Sequence, residues 1–83
     1  MLDLHTFAPR DVASVVEEYL TAAAVRGFRD VRLIHGRGIG IQRAIVRSVL
    51  SRHPSVESCV DAPPEAGGWG ATIVRLRIAD TAR

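Results

Sequence analysis

The stretch VRLIHGRGIGIQRAIVRSVL at residues 31–50 runs from an apolar segment through a glycine-rich loop into a helical pattern. Val31 to Ile34 predicts a buried strand that ends at His35, and the glycines at 36, 38 and 40 predict a loop. Helical spacing follows until Pro54, which is expected to end the helix. Strand, loop and helix in this order are the repeating unit of an α/β fold. The helix residues expected to face inward are Ile41, Ala44, Ile45, Val49 and Leu50, and those expected to face mostly outward are Arg43, Arg47 and Arg52.

A similar unit precedes this stretch. Leu2 to His5 alternates apolar and polar residues, which predicts a short strand. Pro9 suits the first position of a helix, and Gly27 is a plausible stop. The apolar stripe between them comprises Val12, Val15, Val16, Tyr19, Leu20 and Ala23.

Two strands are expected after the second helix. Val56 to Val60 is a weaker third strand, residues 61–70 read as loop, and residues 71–78 alternate as a clear fourth strand. The order is therefore βαβαββ. Right-handed crossovers would put both helices on one face of a four-stranded mixed sheet, so we expect an α/β two-layer sandwich. We expect one domain over residues 1–83, with its core at about 2–78 and a tail at 79–83.

Composition narrows the class of protein. With 83 residues the chain has room for one domain and none for a large multi-domain enzyme. Its apolar fraction of 47% and charged fraction of 24% argue against disorder. All eleven positive residues are Arg, and the net charge is +2, too small an excess to establish nucleic-acid binding by itself. The lone Cys59, the absence of a leader pattern and the absence of a long apolar run favour a cytoplasmic protein with no membrane partner.

Two histidines and the glycine loop are expected to meet at one edge of the sheet. His5 and His35 end the first two strands, and ligands of open α/β sheets gather beyond the carboxyl ends of strands. Free N–H groups at a helix start bind anions, and the guanidinium of Arg37 can form two parallel hydrogen bonds to a phosphate. Phosphate is therefore the natural ligand. The alternative is a turn that requires positive φ. The spacing is not that of a Walker loop or a dinucleotide-binding fingerprint.

Two further features have a functional and a structural interpretation. Trp69, between Gly68 and Gly70, could stack on a base or could cover the edge of the core. Arg75 and Arg77 alternate onto the open face of the sheet, where they form either a basic patch or solubilising charges.

Three motifs together resemble a known family. LDLH at residues 2–5, HGRGIG at 35–40 and GGWGAT at 67–72 occur in the order typical of the Smr (small MutS-related) domain. The resemblance implies a βαβαββ sandwich that binds nucleic acid, and in many members an endonuclease that nicks DNA or cuts RNA, including messenger RNA on ribosomes. The motif positions matched are Asp3, His5, His35, Gly36, Arg37, Gly38, Gly40, Gly68 and Gly70. Three positions depart from the usual pattern: Thr6 for Gly, Arg37 for Lys and Ile39 for Thr.

The resemblance leaves two functions open. In a phosphodiesterase, His5 would be a general base or acid, and Asp3 would orient it or help to bind a cation. His35 would be a second acid or base, or would pin the loop, and the pinning role is favoured. RNA cleavage needs no metal because the 2′-hydroxyl is the nucleophile, whereas DNA cleavage would require water and a metal such as magnesium. The alternative is a non-catalytic module that docks on nucleic acid, a ribosome or a partner protein.

Overall fold

A computed structural model of the chain describes residues 1–36, 40–66 and 68–77 and has the predicted order of elements. The two helices are α1 (Pro9–Val25) and α2 (Ile41–Arg52). The four strands are β1 (Leu2–Asp3), β2 (Asp30–Ile34), β3 (Val56–Asp61) and β4 (Ala71–Leu76). Short 3-10 turns at Pro64–Ala66 and Gly68–Gly70 connect β3 to β4.

The strands form one mixed sheet in the order β1-β2-β4-β3. β1 is parallel to β2, and β4 is antiparallel to both of its neighbours. It follows that β1, β2 and β3 all run in one direction. Their carboxyl ends therefore share one edge with the start of β4, and we call this edge the loop edge.

Both helices cover the same face of the sheet, which confirms the two-layer sandwich. α1 and α2 contact each other, and their buried residues form one core with alternate residues of the strands. On the other face, Arg75 is exposed and Ile73 is half-buried. The fully buried core positions are Leu4, Val12, Val16, Leu20, Leu33, Val46, Val74 and Leu76.

The first helix follows its sequence pattern. It begins at Pro9, and Gly27 just beyond it has a φ of +84°. That left-handed conformation is accessible to glycine at little cost and ends the helix. Every residue of the predicted stripe is buried or half-buried.

The inward face of α2 differs from the prediction. Val46, Val49 and Leu50 are buried, whereas Ile41 is 48% exposed and Ala44 also faces solvent. The reason is that the helix face that packs on the core begins at Gln42, four residues before Val46, and Gln42 is polar. A polar residue there shifts the apparent apolar face by one position, because successive residues differ by about 100° around a helix.

Three strand boundaries also differ from the predicted ones. β1 ends at Asp3 rather than at His5, because the Asp3 carboxylate accepts the backbone N–H of His5 at 2.9 Å and starts a turn. β3 includes Asp61, which pairs with Thr72, whereas the sequence pattern predicts a loop from residue 61. β4 ends at Leu76, and the predicted strand position Ile78 lies outside the described residues.

The two arginines expected on the open face, Arg75 and Arg77, both contact groups of the protein. Arg75 is exposed but donates to the Asp30 carboxylate at 3.1 Å, and Arg77 donates to the carbonyl of Pro54 at 3.1 Å. Both arginines are exposed, and each donates a hydrogen bond to a group of the protein itself. In the described part of the chain, no helix is long and apolar enough to cross a membrane.

Candidate functional site

Backbone hydrogen bonds join the three sequence motifs at the loop edge. The N–H groups of His35 and Gly36 both donate to the carbonyl of Gly70, at 3.0 and 2.9 Å. The N–H of Leu4 donates to the carbonyl of Ile34 at 2.8 Å. The ends of β1 and β2 and the start of β4 therefore form one surface, as the parallel arrangement of β1 and β2 predicted.

His35 is buried in this surface, and both of its ring nitrogens are engaged. Nδ1 lies 3.0 Å from the carbonyl oxygen of Gly36, and Nε2 lies 2.9 Å from the hydroxyl of Thr72. A carbonyl oxygen only accepts, so Nδ1 carries a proton, and in the neutral ring Nε2 accepts from the Thr72 hydroxyl. Burial lowers the pKa of His35 below its usual value, the Gly36 carbonyl opposes this, and Arg43 and Arg47 lower it further. The geometry favours the pinning role for this neutral imidazole.

His5 has the opposite environment. Its side chain is exposed, and its imidazole makes no hydrogen bond to another described residue. Asp3 contacts the backbone of His5 and not its ring, so the carboxylate fixes the turn that carries the imidazole. His5 is therefore accessible to an incoming substrate. Within the described part of the chain, no carboxylate accepts a hydrogen bond from its ring to fix the orientation of the imidazole.

Gln42 connects the second helix to the first motif. Its Nε2 donates to the carbonyls of Leu4 and Phe7, at 3.3 and 3.1 Å. This amide satisfies two backbone acceptors of the turn around His5. The start of α2 is thereby held beside that turn.

The first turn of α2 is suited to an anion. Gly40 precedes the helix with a φ of +84°, no side chain caps the helix start, and no acidic residue lies in its first turn. The first N–H groups of a helix have no intrahelical partner and carry a partial positive charge. By contrast, Asp11 lies in the first turn of α1, where it would repel a phosphate.

A cluster of charges lies where α2 meets the end of β3. Arg43 and Arg47 both donate to Oδ1 of Asp61, at 2.7 and 2.6 Å. The hydrogen bond from Arg43, together with that from Arg47, holds the pKa of the Asp61 carboxyl below its usual value against the opposing effect of desolvation. The two arginines, expected mostly outward, are therefore half-buried side chains folded towards the sheet.

Some predicted site residues cannot be located in this surface. Arg37 and Gly38 lie outside the described residues, as does the side chain of Trp69. Gly68 and Gly70 are buried at the loop edge. Within residues 1–36, 40–66 and 68–77, no group of three or more His, Cys, Asp or Glu side chains could hold a metal ion.

Sequence reasoning missed three contributors to this surface. Thr72, Gln42 and Asp61 all contact this surface, and none of them is among the predicted site residues. A polar residue at an inward position of a helix or strand was the available signal for the first two. For Asp61 there was none, since its partners lie 14 and 18 residues earlier in the chain.

Comparison with known proteins agrees with this geometry. A model of the Smr domain family matches residues 2–77. Endonuclease MutS2 of Halalkalibacterium halodurans is 41% identical over 76 residues, and endonuclease MutS2 of Thermus thermophilus is 40% identical over the same length. Each match covers 92% of this chain but only 10% of the relative. The chain thus corresponds to about a tenth of the length of these proteins.

Two solved structures have the same fold. The crystal structure of the Smr domain of Thermus thermophilus MutS2 superimposes with a TM-score of 0.87 at 39% identity, covering 92% of this chain and 95% of that domain. YdaL, a stand-alone small MutS-related protein from Escherichia coli, gives a TM-score of 0.78 at 32% identity, covering 92% of this chain and 63% of YdaL. With three motifs brought together on a shared fold and a family match along almost its whole length, the chain belongs to the Smr domain family and is homologous to the Smr domains of MutS2 endonucleases.

Proposed function

We propose that this domain binds a nucleic-acid strand at the loop edge and cleaves one phosphodiester bond there, with His5 as the proton-transfer residue. The observation that carries the proposal is the contrast between the two histidines at this edge. His35 has both ring nitrogens engaged within the protein, whereas the imidazole of His5 is exposed and has no hydrogen bond to a described residue. An exposed imidazole that is free of hydrogen bonds to described residues can reach a substrate and transfer a proton.

The phosphate would bind beside His5, over the start of α2. The uncapped N–H groups of that helix supply donors, and Arg37 in the preceding loop is the cation expected to fork onto the phosphate. Donors that are fixed before the reaction stabilise the charge that develops on the phosphate oxygens. The hydrogen bonds from His35 and Gly36 to Gly70 keep the two loops together during the reaction.

RNA is the substrate class that these residues support best. His5 would take the proton of a 2′-hydroxyl, whose oxygen attacks phosphorus as the bond to the 5′-oxygen breaks. The products are a 2′,3′-cyclic phosphate and a 5′-hydroxyl; the 5′-oxygen takes its proton from water, and protonated His5 gives its proton to the hydroxide that remains. This route uses only the imidazole and phosphate-binding donors. DNA has no 2′-hydroxyl, so its cleavage would require an activated water and a metal such as magnesium.

Cleavage assays on RNA and DNA test the proposal. End-labelled single-stranded RNA and supercoiled plasmid are incubated with the wild type and with His5→Ala, in EDTA and in magnesium. We expect RNA to be cut in EDTA and the rate to fall about 100- to 10,000-fold in His5→Ala, the usual contribution of a general acid–base residue. His53→Gln is the matched control, since His53 caps the opposite end of α2 and its loss should leave the rate unchanged.

Two results would contradict parts of this proposal. Nicking of plasmid that requires magnesium, without cleavage of RNA, would replace the ribonuclease by a metal-assisted DNA nuclease. Equal RNA cleavage by the wild type and by His5→Ala would remove His5 from the chemistry.

A non-catalytic binding module is the second candidate function. The specific observation in its favour is that Asp3 accepts the backbone N–H of His5 and leaves the ring without a carboxylate orienter. Binding of both nucleic acids without cleavage in either buffer would select this module. Binding to ribosomes without affinity for free RNA or DNA would point instead to a docking domain.

A further inference from the structure

The charge cluster at the end of β3 differs from the other ion pairs of the domain. The pairs Arg29–Glu57, Arg52–Glu17 and Arg75–Asp30 each join one cation to one anion. At Asp61, two guanidinium groups share one carboxylate oxygen, so three side chains carry a net charge of +1. We call Arg43 and Arg47 the arginine pair.

The arginine pair is held in place but still accessible. Its side chains are 23% and 34% exposed, and Arg47 also contacts the sulfur of Cys59 at 3.7 Å. A guanidinium held by a carboxylate loses less conformational freedom when it binds a second anion. A phosphate oxygen is such an anion, and guanidinium groups bind it through charge-assisted hydrogen bonds.

The position of the pair relates it to the proposed phosphate site. Asp61 ends β3, so the cluster lies at the same loop edge as His35 and the start of α2. β4 separates β2 from β3, which puts the cluster about 10 Å from the end of β2 at the usual strand spacing of about 4.8 Å.

We propose that the arginine pair, oriented by Asp61, is a second phosphate-contact site that binds the nucleic-acid backbone next to the phosphate at the glycine loop. This inference rests on the proposed nucleic-acid binding and extends it across the loop edge from β2 to β3. It does not require cleavage. Its ligand is the phosphodiester backbone itself, which RNA and DNA share.

Salt-dependent binding of short DNA probes tests the second site. The dissociation constants of a 12-nucleotide single strand and a 20-base-pair duplex are measured by fluorescence anisotropy in EDTA, over 50–300 mM NaCl. Each lost phosphate contact lowers the slope of log K against log salt by about 0.7 for single strands and about 0.9 for duplex DNA. At 0.1 M salt this corresponds to about fivefold and about eightfold weaker binding for each contact.

We expect Arg43→Gln and Arg47→Gln each to reduce the slope by one contact, and the double variant to reduce it by two. Arg52→Gln is the matched control, because Arg52 lies on the same helix with an exposed partner, Glu17, on a different helical face. It should retain the wild-type slope. Arg47→Lys keeps the charge and should restore the slope lost in Arg47→Gln, which separates phosphate contact from a structural role.

The outcomes distinguish this inference from the function on which it rests. If the wild type binds and the double variant, folded by circular dichroism, keeps the wild-type slope, the second site is wrong and nucleic-acid binding stands. If Arg43→Gln, Arg47→Gln and Arg52→Gln lower the slope equally, the effect is one of net charge and the second site is also wrong. If the wild type binds neither these probes nor RNA, both proposals fail together.

Discussion

The hydrogen bond between Thr72 and His35 offers the sharpest test of how the site is built. Thr72→Val keeps the shape of a fully buried side chain and removes only the hydroxyl that lies 2.9 Å from Nε2 of His35. The ring nitrogen then stays buried without a donor, which costs about 1–3 kcal/mol. In a domain of this size, each kcal/mol lowers Tm by roughly 4–8 °C. We therefore expect a clear loss in the free energy of unfolding, measured by urea denaturation at pH 8.

A double-mutant cycle separates the hydrogen bond from packing. In the His35→Phe background both partners are apolar, so the further change of Thr72→Val should cost almost nothing. If Thr72→Val is within about 0.5 kcal/mol of the wild type, or if it costs as much beside Phe as beside His, the hydrogen bond does not stabilise the loop edge and the reasoning fails. The same bond predicts that neutral His35 carries its proton on Nδ1, and ¹⁵N chemical shifts of the ring report this directly.

Three more predictions follow from other features of the loop edge. Because the folded pKa of His35 lies below its unfolded value of 6.5, its neutral form contributes stability that is complete above pH 6.5 and is lost as the pH falls towards the folded pKa. The urea midpoint of the wild type should therefore fall more steeply between pH 7.5 and 5.5 than that of His35→Phe, and parallel profiles would contradict burial of a neutral ring. Gly40→Ala should cost about 1–2 kcal/mol, since φ is +84° and the new methyl group has open space around it; an unchanged Tm would disprove the left-handed conformation. Gln42→Leu removes two hydrogen bonds worth about 0.5–1.5 kcal/mol each and should accelerate amide exchange in the turn around His5, and unchanged exchange there would show that Gln42 does not hold the turn.

The sequence predicted the elements of the fold well because each rests on a local pattern. Pro9 and Gly27 bound a stripe whose period is that of a helix, and alternation in residues 71–76 gave the last strand. The local pattern predicts the ends of short strands and the position of inward-facing polar residues less accurately. β1 was predicted too long because the Asp3 side chain competes for a backbone N–H, and α2 was rotated because Gln42 is polar but faces inward. Hydrophobicity alone does not reveal a buried amide that satisfies carbonyls from a distant turn.

For the candidate site, the sequence by itself determined which residues meet. Parallel strands that end just before His5 and His35 bring these residues to one edge whatever the details of packing, and the three motifs resemble those of the Smr domain. Only the tertiary structure decided what each residue can do there. Burial against Thr72 and Gly36 engages both nitrogens of His35, while His5 remains exposed. Because β4 is antiparallel to both β2 and β3, Asp61 at the end of β3 lies at the same edge, where it pairs with two arginines of α2. Exposure and hydrogen-bond partners depend on contacts between residues far apart in the chain, and no local pattern in the sequence encodes them.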